Sequence, residues 1–313
     1  MNLVIRPYIR GQDEQVRIDI YNRAHAEDED FFPSKIEDVL RYDRSPEEPH
    51  RRRFIAELDG TPVGLAFGNV DPHRAELKGF LAGPHVVPEH RRKGVGTALA
   101  RRVFEDLRER GMKQVETEER DLPPATGLLE SLGFKPVRVF SEMRRTLDAL
   151  PPVQAAPAGV DIGLVDPTPD VLDAVIAVEN EAFKEHFNHR DFTLAELEFL
   201  VRAANEEGTV SHLILARVGG TPVGYLWYGY SPDLVAHLKK NRGGLWDLGV
   251  LKRFRCRGIA SYMMTTAMAH LKREGMDEVE LRVDDTNVTH ARRLYERLGF
   301  TLAYRNLVHR KDL

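Results

Sequence analysis

The pentapeptide GTPVG is written twice in this chain, at Gly60–Gly64 and at Gly220–Gly224, an offset of 160 residues. Other landmarks recur around it in the same order. YNRA at Tyr21–Ala24 answers ENEA at Glu179–Ala182 with an offset of 158, and RRKGVG from Arg91 answers RCRGIA from Arg255 with an offset of 164. RERGM ending at Met112 answers KREGM ending at Met276, again 164, and LLESLGF ending at Phe134 answers LYERLGF ending at Phe300 at 166. A fixed order with a slow upward drift marks a duplicated unit that has taken small loop insertions. The chain must therefore fold the same way twice.

A length of 313 residues exceeds one typical core and agrees with two domains. Between the copies lies LDALPPVQAAPAGV, Leu147 to Val160, where Pro151, Pro152 and Pro157 favour an extended connection. The expected division is a first domain over 1–148, a linker over 149–158 and a second domain over 159–313. Within the second copy, Leu213–Val218 and Val223–Tyr230 are β-rich runs joined through Gly219, Gly220 and Pro222, which is a hairpin signal. Trp246–Leu251 reads as a further strand and Glu278–Val283 as another. Ala260–Glu274 has helical spacing, with Tyr262, Met263, Ala267 and Leu271 able to share a side, and Thr289–Leu298 is a helix ended by Gly299. The fold class is α/β (α+β), each half a mixed, mostly antiparallel twisted sheet flanked by helices.

Charge excludes some functions. Lys and Arg number 45 against 49 Asp and Glu, which carries no nucleic-acid signature. No apolar run is long enough to span a membrane, and MNLVIRPYIRG lacks the apolar stretch of a signal peptide. The single cysteine, Cys256, forms no internal disulfide, so a reducing cytoplasm is the expected compartment.

The stretch LWDLGVLKRFRCRGIASYMMTTAMAHL carries the most chemistry. A strand runs into a basic loop, and a helix opens at the glycine. Unpaired N–H groups and the helix dipole meet there, which suits a phosphate. It is neither a Walker loop nor a dinucleotide fingerprint, since Gly94–Val95–Gly96 is followed by Thr97, Ala98 and Leu99. Downstream stand Asn287 and, within LYERLGF, Tyr295.

This combination, R-x-x-G-x-G/A after a strand and then N-x-x-A/H with LYExLGF, resembles the GCN5-related N-acetyltransferases (GNAT). The resemblance covers both halves, and the layout is similar to that of the mycothiol synthases, tandem acetyltransferases with an active second half. It implies two tandem GNAT-like domains and acetyl-coenzyme A as co-substrate, with no metal. Arg255, Arg257, Gly258, Ile259 and Ala260 would hold the pyrophosphate, largely through backbone N–H groups. Leu248, Gly249 and Val250 would lie along the pantetheine arm, Asn287 would help hold it, and Tyr295 would stand near the thioester sulfur. The matching cofactor positions of the first half are Val86, Arg91, Gly94, Val95 and Gly96.

Acyl transfer to an amine needs the amine neutral, although an alkyl amine has a pKa near 10.4. Asp247 is the candidate base, with Glu179 and Glu181 in reserve. A backbone N–H of Leu248–Val250 is the candidate donor to the reacting oxygen, and Tyr295 the candidate acid. Cys256 has no neighbouring His in sequence and is set aside as a nucleophile. His186 and His189 lack a ligand cluster and read as a pocket wall with Phe183 and Phe187.

The two halves differ. Leu129 stands at the place of Tyr295, Asp121 at that of Asn287, Pro84 at that of Leu248 and Gly83 at that of Asp247. The first half is therefore expected to be non-catalytic while still able to bind coenzyme A. The leading expectation is an N-acetyltransferase for a small-molecule primary amine, with chemistry in the second half. A protein or peptide N-acetyltransferase and a non-catalytic acyl-coenzyme A sensor are the alternatives. Neither nucleic acid nor membrane is an expected partner, and the oligomeric state is left open.

Overall fold

The computed structural model describes residues 2–152, 155–287 and 289–313, so residues 153 and 154 of the expected linker lie outside the described residues. In chain order the first repeat contains β1 (Leu3–Pro7), α1 (Glu14–His25), α2 (Ile36–Tyr42), β2 (Arg51–Leu58), β3 (Thr61–Val70), β4 (Lys78–Val86), α3 (Val95–Glu109), β5 (Gln114–Arg120), α4 (Pro123–Ser131) and β6 (Lys135–Thr146). The second contains β7 (Asp161–Val165), α5 (Pro169–Ala182), α6 (Leu194–Glu206), β8 (Val210–Val218), β9 (Thr221–Tyr230), α7 (Pro232–Leu238), β10 (Arg242–Val250), α8 (Ile259–Arg273), β11 (Glu278–Asp284), α9 (Ala291–Arg297) and β12 (Thr301–Asp312). The mixed α/β class with mostly antiparallel pairing follows the expectation. The helix placed at 289–298 is shorter than its apolar pattern, because His290 takes a left-handed φ of 52° and caps it.

Two compact units form, and they do not coincide with the sequence halves. One holds Met1–Val139 together with Asn306–Leu313; the other holds Phe140–Arg305. In the first unit β1, β2, β3 and β4 follow one another antiparallel, β5 lies parallel to β4, and the end of β12 runs antiparallel to β5 from Asn306↔Arg120 to Asp312↔Gln114. In the second unit β7, β8, β9 and β10 are antiparallel neighbours and β11 is parallel to β10. The end of β6 closes that sheet antiparallel to β11, from Phe140↔Asp284 to Thr146↔Glu278. Each unit thus takes its last strand from the other repeat. The boundary expected at residue 148 is corrected accordingly: Met143 and Leu147 are buried in the core of the second unit. Arg310 and Lys78 both reach the buried carboxylate of Glu116 in the first unit, at 2.6 and 3.4 Å.

Both GTPVG copies sit at hairpin turns. Asp59 and Gly60 have φ of 49° and 82°, Gly219 and Gly220 have 55° and 81°, the paired left-handed conformation that matches strand twist in two-residue hairpins. One helix of each unit packs its apolar stripe on the sheet: Val95, Leu99, Val103 and Leu107 of α3, and Ile259, Met263, Ala267 and Leu271 of α8. Close approach is permitted by glycine. A Cβ at Gly79 would stand 2.5 Å from Leu107 Cδ2.

Candidate active site

In the second unit β10 and β11 pair only from Arg242↔Glu278 to Gly244↔Glu280 and then part. Beyond Gly244 the edge of β10 that faces β11 pairs with no strand among the described residues, which leaves main-chain groups of Leu248–Val250 available to a ligand. Between the parted strands lies a cavity of about 760 Å³. Its lining includes Leu248, Gly249 and Val250 of β10, Gly258, Ile259 and Ala260 at the start of α8, and Asn287 and Tyr295 on the far side. Segments that are distant in sequence therefore share one cavity.

At the head of α8, Cys256 and Gly258 both adopt left-handed φ, 60° and 84°. That turns successive backbone N–H groups the same way, and the first N–H groups of the helix have no acceptor within it. Such a donor set matches a pyrophosphate. Of the two arginines, Arg255 lines the cavity and Arg257 does not. The Arg255 guanidinium is committed elsewhere: Nε donates to Val250 O at 3.0 Å and Nη2 to Ala182 O at 2.8 Å. It ties the ends of β10 and α5 together, satisfying carbonyls that those ends leave orphaned, and is a positioning residue. Arg257 is exposed, lies over the Phe254 ring at 5.2 Å and is not among the lining residues. Cys256 is exposed and lines the loop side of the cavity.

Asn287 is less free than the motif suggests. Its Oδ1 accepts from Thr289 N at 2.9 Å and shapes the loop that leads into α9. Tyr295 is buried, edge-on to Phe300 at 6.2 Å. Burial, and after it the charge of Asp247, pushes its hydroxyl up to about 12, so it keeps its proton at neutral pH. Phe183 and His186 line the cavity, edge to face at 4.3 Å, while Phe187 and His189 are not among its lining residues.

The most informative cluster was only partly legible in sequence. Tyr225 of β9 is fully buried, and its hydroxyl lies between two carboxyl groups, Glu179 of α5 and Asp247 of β10. The contact to Asp247 Oδ2 is 2.7 Å. A phenol has one proton to donate, so it satisfies one carboxylate, and the other contact is favourable when that second group holds a proton. Burial pushes Glu179 up to about 8, with the Asp247 charge adding to it, and burial pushes Asp247 up to about 6. Together they form a proton-holding pair at neutral pH. Tyr225 itself is raised well above its ordinary value by the same burial and the two charges.

The first unit keeps the loop and loses this cluster. Arg91 makes the same tie as Arg255, to Val86 O and Ala24 O, and Arg92 and Gly94 repeat the left-handed pair at 61° and 82°. Val95 and Gly96 open α3 as Ile259 and Ala260 open α8. Strand register sets Gly64 against Val86 and Gly224 against Val250, so Leu65 answers Tyr225 and His85 answers Gly249. By the same offsets Tyr21 stands for Glu179 and Gly83 for Asp247. The His85 ring packs edge-on to Tyr21 at 5.2 Å, and its Nδ1 lies 2.8 Å from His25 Nε2. At the matching Gly249 a Cβ would stand 2.6 Å from Tyr225 Cε1, so a side chain fits there only in the first unit, where Leu65 replaces the tyrosine. Phe134 N donates to Leu129 O as Phe300 N donates to Tyr295 O, which fixes Leu129 at the Tyr295 position.

Burial first, then the charges of His25 and Arg17, pushes His85 down to about 3 from an ordinary 6.5. A lowered folded value means stability that is present above the unfolded value and lost as pH falls through the range below it. Unfolding temperature is therefore expected to drop as pH falls below about 6.5, and His85→Asn to flatten that slope in scanning calorimetry.

Among the described residues one group could hold a metal, His212, His270 and Glu274, whose donor atoms lie within 4.8 Å of one another. His212 Nε2 pairs with Glu274 at 3.0 Å, and Tyr228 Oη lies 2.8 Å from His270 Nδ1. These residues are not among those lining the cavity. No helix among the described residues is long and apolar enough to cross a membrane.

A family model described as the acetyltransferase (GNAT) family matches residues 18–134 and again 172–300. The mycothiol acetyltransferase of Thermomonospora curvata is 33% identical over 251 residues, covering 80% of this chain and 79% of that one. The mycothiol acetyltransferase of Salinispora arenicola is 31% identical over 288 residues, covering 89% and 87%. Among solved structures, a tandem GNAT protein from the clavulanic acid biosynthesis pathway shares the fold with a TM-score of 0.79 at 16% identity, over 99% of this chain and 98% of that one. The two matched regions, the split sheet and the open helix head agree: the chain belongs to the GNAT acetyltransferase family as a tandem member and is an N-acetyltransferase.

Proposed function

We propose that the chain transfers an acetyl group from acetyl-coenzyme A to a primary amine of a small molecule, by direct attack in a ternary complex, with the chemistry in the second unit. The observation that carries this reading is the Glu179–Tyr225–Asp247 cluster beside the cavity, each member of which is replaced in the first repeat. Similarity to mycothiol acetyltransferases, named for a small molecule, supports the acceptor class.

Bound acetyl-coenzyme A supplies an electrophilic thioester carbonyl. The head of α8 holds its pyrophosphate through N–H groups of Gly258, Ile259 and Ala260, and the open edge of Leu248–Val250 aligns the arm. An ammonium acceptor gives one proton to the carboxyl pair, which leaves the nitrogen lone pair free to attack. A backbone N–H of that same edge faces the carbonyl oxygen. As the C–S bond breaks, Tyr295 delivers its proton to the sulfur and is reprotonated from the nitrogen's second proton. The balance is an amide, a free thiol and one proton released to solvent through the carboxyl pair. The first unit keeps the phosphate loop without a base or acid, in a binding or structural role.

Tyr295→Phe tests the assignment. The expected result is a kcat lower by about 10²-fold with the KM for acetyl-coenzyme A little changed, read as free thiol release against a panel of amines. Unchanged turnover in Tyr295→Phe, together with its loss on substitution of Gly96, would place the chemistry in the first unit instead.

A further inference from the structure

The chain contains two tryptophans, Trp227 and Trp246, and both line a second cavity of about 300 Å³. Glu179, Tyr225 and Asp247 form its polar end. The remaining walls are hydrocarbon and aromatic, among them Val175 and Ile176 of α5, Leu197 and Val201 of α6, and Phe192. The backbone of Phe192 is held by one side chain, since its N–H donates to Asn180 Oδ1 at 2.8 Å and its carbonyl accepts from Asn180 Nδ2 at 3.1 Å.

Trp246 is the shared wall between this cavity and the larger one. A register shift between Leu245 and Asp247 turns it outward from β10. Its indole rests on bare backbone: a Cβ at Gly244 would collide with Trp246 Nε1, and one at Gly229 would stand 2.8 Å from its Cη2. Gly244 thus makes room for a ring that is itself 48% exposed, whereas a Cβ at Gly229 would meet the Val210 carbonyl before the indole. The exposed Trp246 and the half-exposed Leu200 both line this cavity, which therefore opens to solvent.

We propose that this cavity receives the substituent of the acceptor, and that the acceptor is a primary amine carrying a compact apolar group, an aromatic ring fitting it best. The proposal rests on the reading of the chain as an amine acetyltransferase and sharpens its substrate class. Charge complementarity fixes the amine end, because the only side-chain oxygens among the lining residues belong to the carboxyl pair and the phenol between them. The other lining side chains offer a hydroxyl no acceptor, and burying one against them forfeits its bonds to water, so each sugar-like hydroxyl is selected against. The size is at the lower end of small-ligand cavities, about 300–1,000 Å³, which matches a single ring. Aromatic walls favour a ring through offset and edge-to-face packing.

Because both tryptophans line the cavity, intrinsic tryptophan emission reports its occupancy directly. The test is titration of the coenzyme A-loaded protein with 2-phenylethylamine and with glucosamine, alongside thiol release with each amine and acetyl-coenzyme A. Emission is expected to shift on adding 2-phenylethylamine, whose kcat/KM should exceed that of glucosamine at least tenfold. Trp227→Ala, which alters the smaller cavity and not the larger, should raise the KM for 2-phenylethylamine about tenfold and leave the KM for acetyl-coenzyme A within twofold. Glucosamine binding as well as 2-phenylethylamine, or an unchanged amine KM in Trp227→Ala, overturns the proposal. Binding of 2-phenylethylamine with no thiol release from any amine supports the pocket assignment and sinks the acetyl-transfer reading instead.

Discussion

Asp247→Asn is expected to lower kcat/KM for amine acetylation by about 10²–10⁴-fold, the range that a positioned acid–base group supplies. Tyr225→Phe should cost less, because it removes the shared proton and leaves both carboxyls. The pH profile separates a base from a merely structural side chain. In the wild type kcat/KM should rise with pH through the window set by Asp247 at about 6 and Glu179 at about 8. The Asp247 charge is one cause of the elevation at Glu179, so Asp247→Asn should move the upper limb of the profile to lower pH. A profile unmoved in Asp247→Asn would count against the pair.

The same shifts have a sign for stability. Both carboxyls bind protons more tightly in the folded state than in the unfolded one, so the stability they contribute is full below the unfolded value and is lost as pH rises through the folded values. Glu179→Gln removes that loss. Near pH 8 it should therefore raise the unfolding temperature while lowering activity, a compromise typical of sites that hold buried charge.

The fold was legible because the duplicated landmarks lie at turns and helix heads, where glycine, proline and capping chemistry leave strong local signals. The site was legible only in part. The alignment of GTPVG and of YNRA with ENEA already places Leu65 against Tyr225 and Tyr21 against Glu179. A tyrosine inside a strand reads as core, however, and only the side-chain geometry shows its hydroxyl between two acids. The guanidinium of Arg255 was hidden for a different reason, although the residue does line the larger cavity. Its place in a phosphate-binding loop suggests a ligand contact, but nearby strand and helix ends leave carbonyls that a guanidinium satisfies at shorter reach. Exchange of the closing strands has no sequence signature at all. The ends of β6 and β12 carry the same alternation whichever β5 or β11 edge they pair with, so pattern alone assigns each to its own repeat.

That exchange makes the second large prediction. A fragment cut at the apparent repeat boundary, residues 159–313, lacks the strand that closes the sheet beside β11 and carries at its end a strand belonging to the first unit. It also lacks Met143 and Leu147, each buried to 1% exposure in the core of the second unit. Truncating one such side chain costs about 2–5 kcal/mol, and a whole domain is held by only about 5–15 kcal/mol. The fragment is therefore expected to be largely unfolded, with an exposed β11 edge that invites aggregation. Residues 140–305 contain the complete second unit and should fold cooperatively, which urea titration followed by circular dichroism can compare directly. In the full chain, deleting residues 306–313 should weaken the first unit and spare the second, because Val308 and the Arg310–Glu116 pair are lost from the first alone. Equal stability of 159–313 and 140–305 would mean that the closing strand contributes little, and that the repeat boundary is the folding boundary after all.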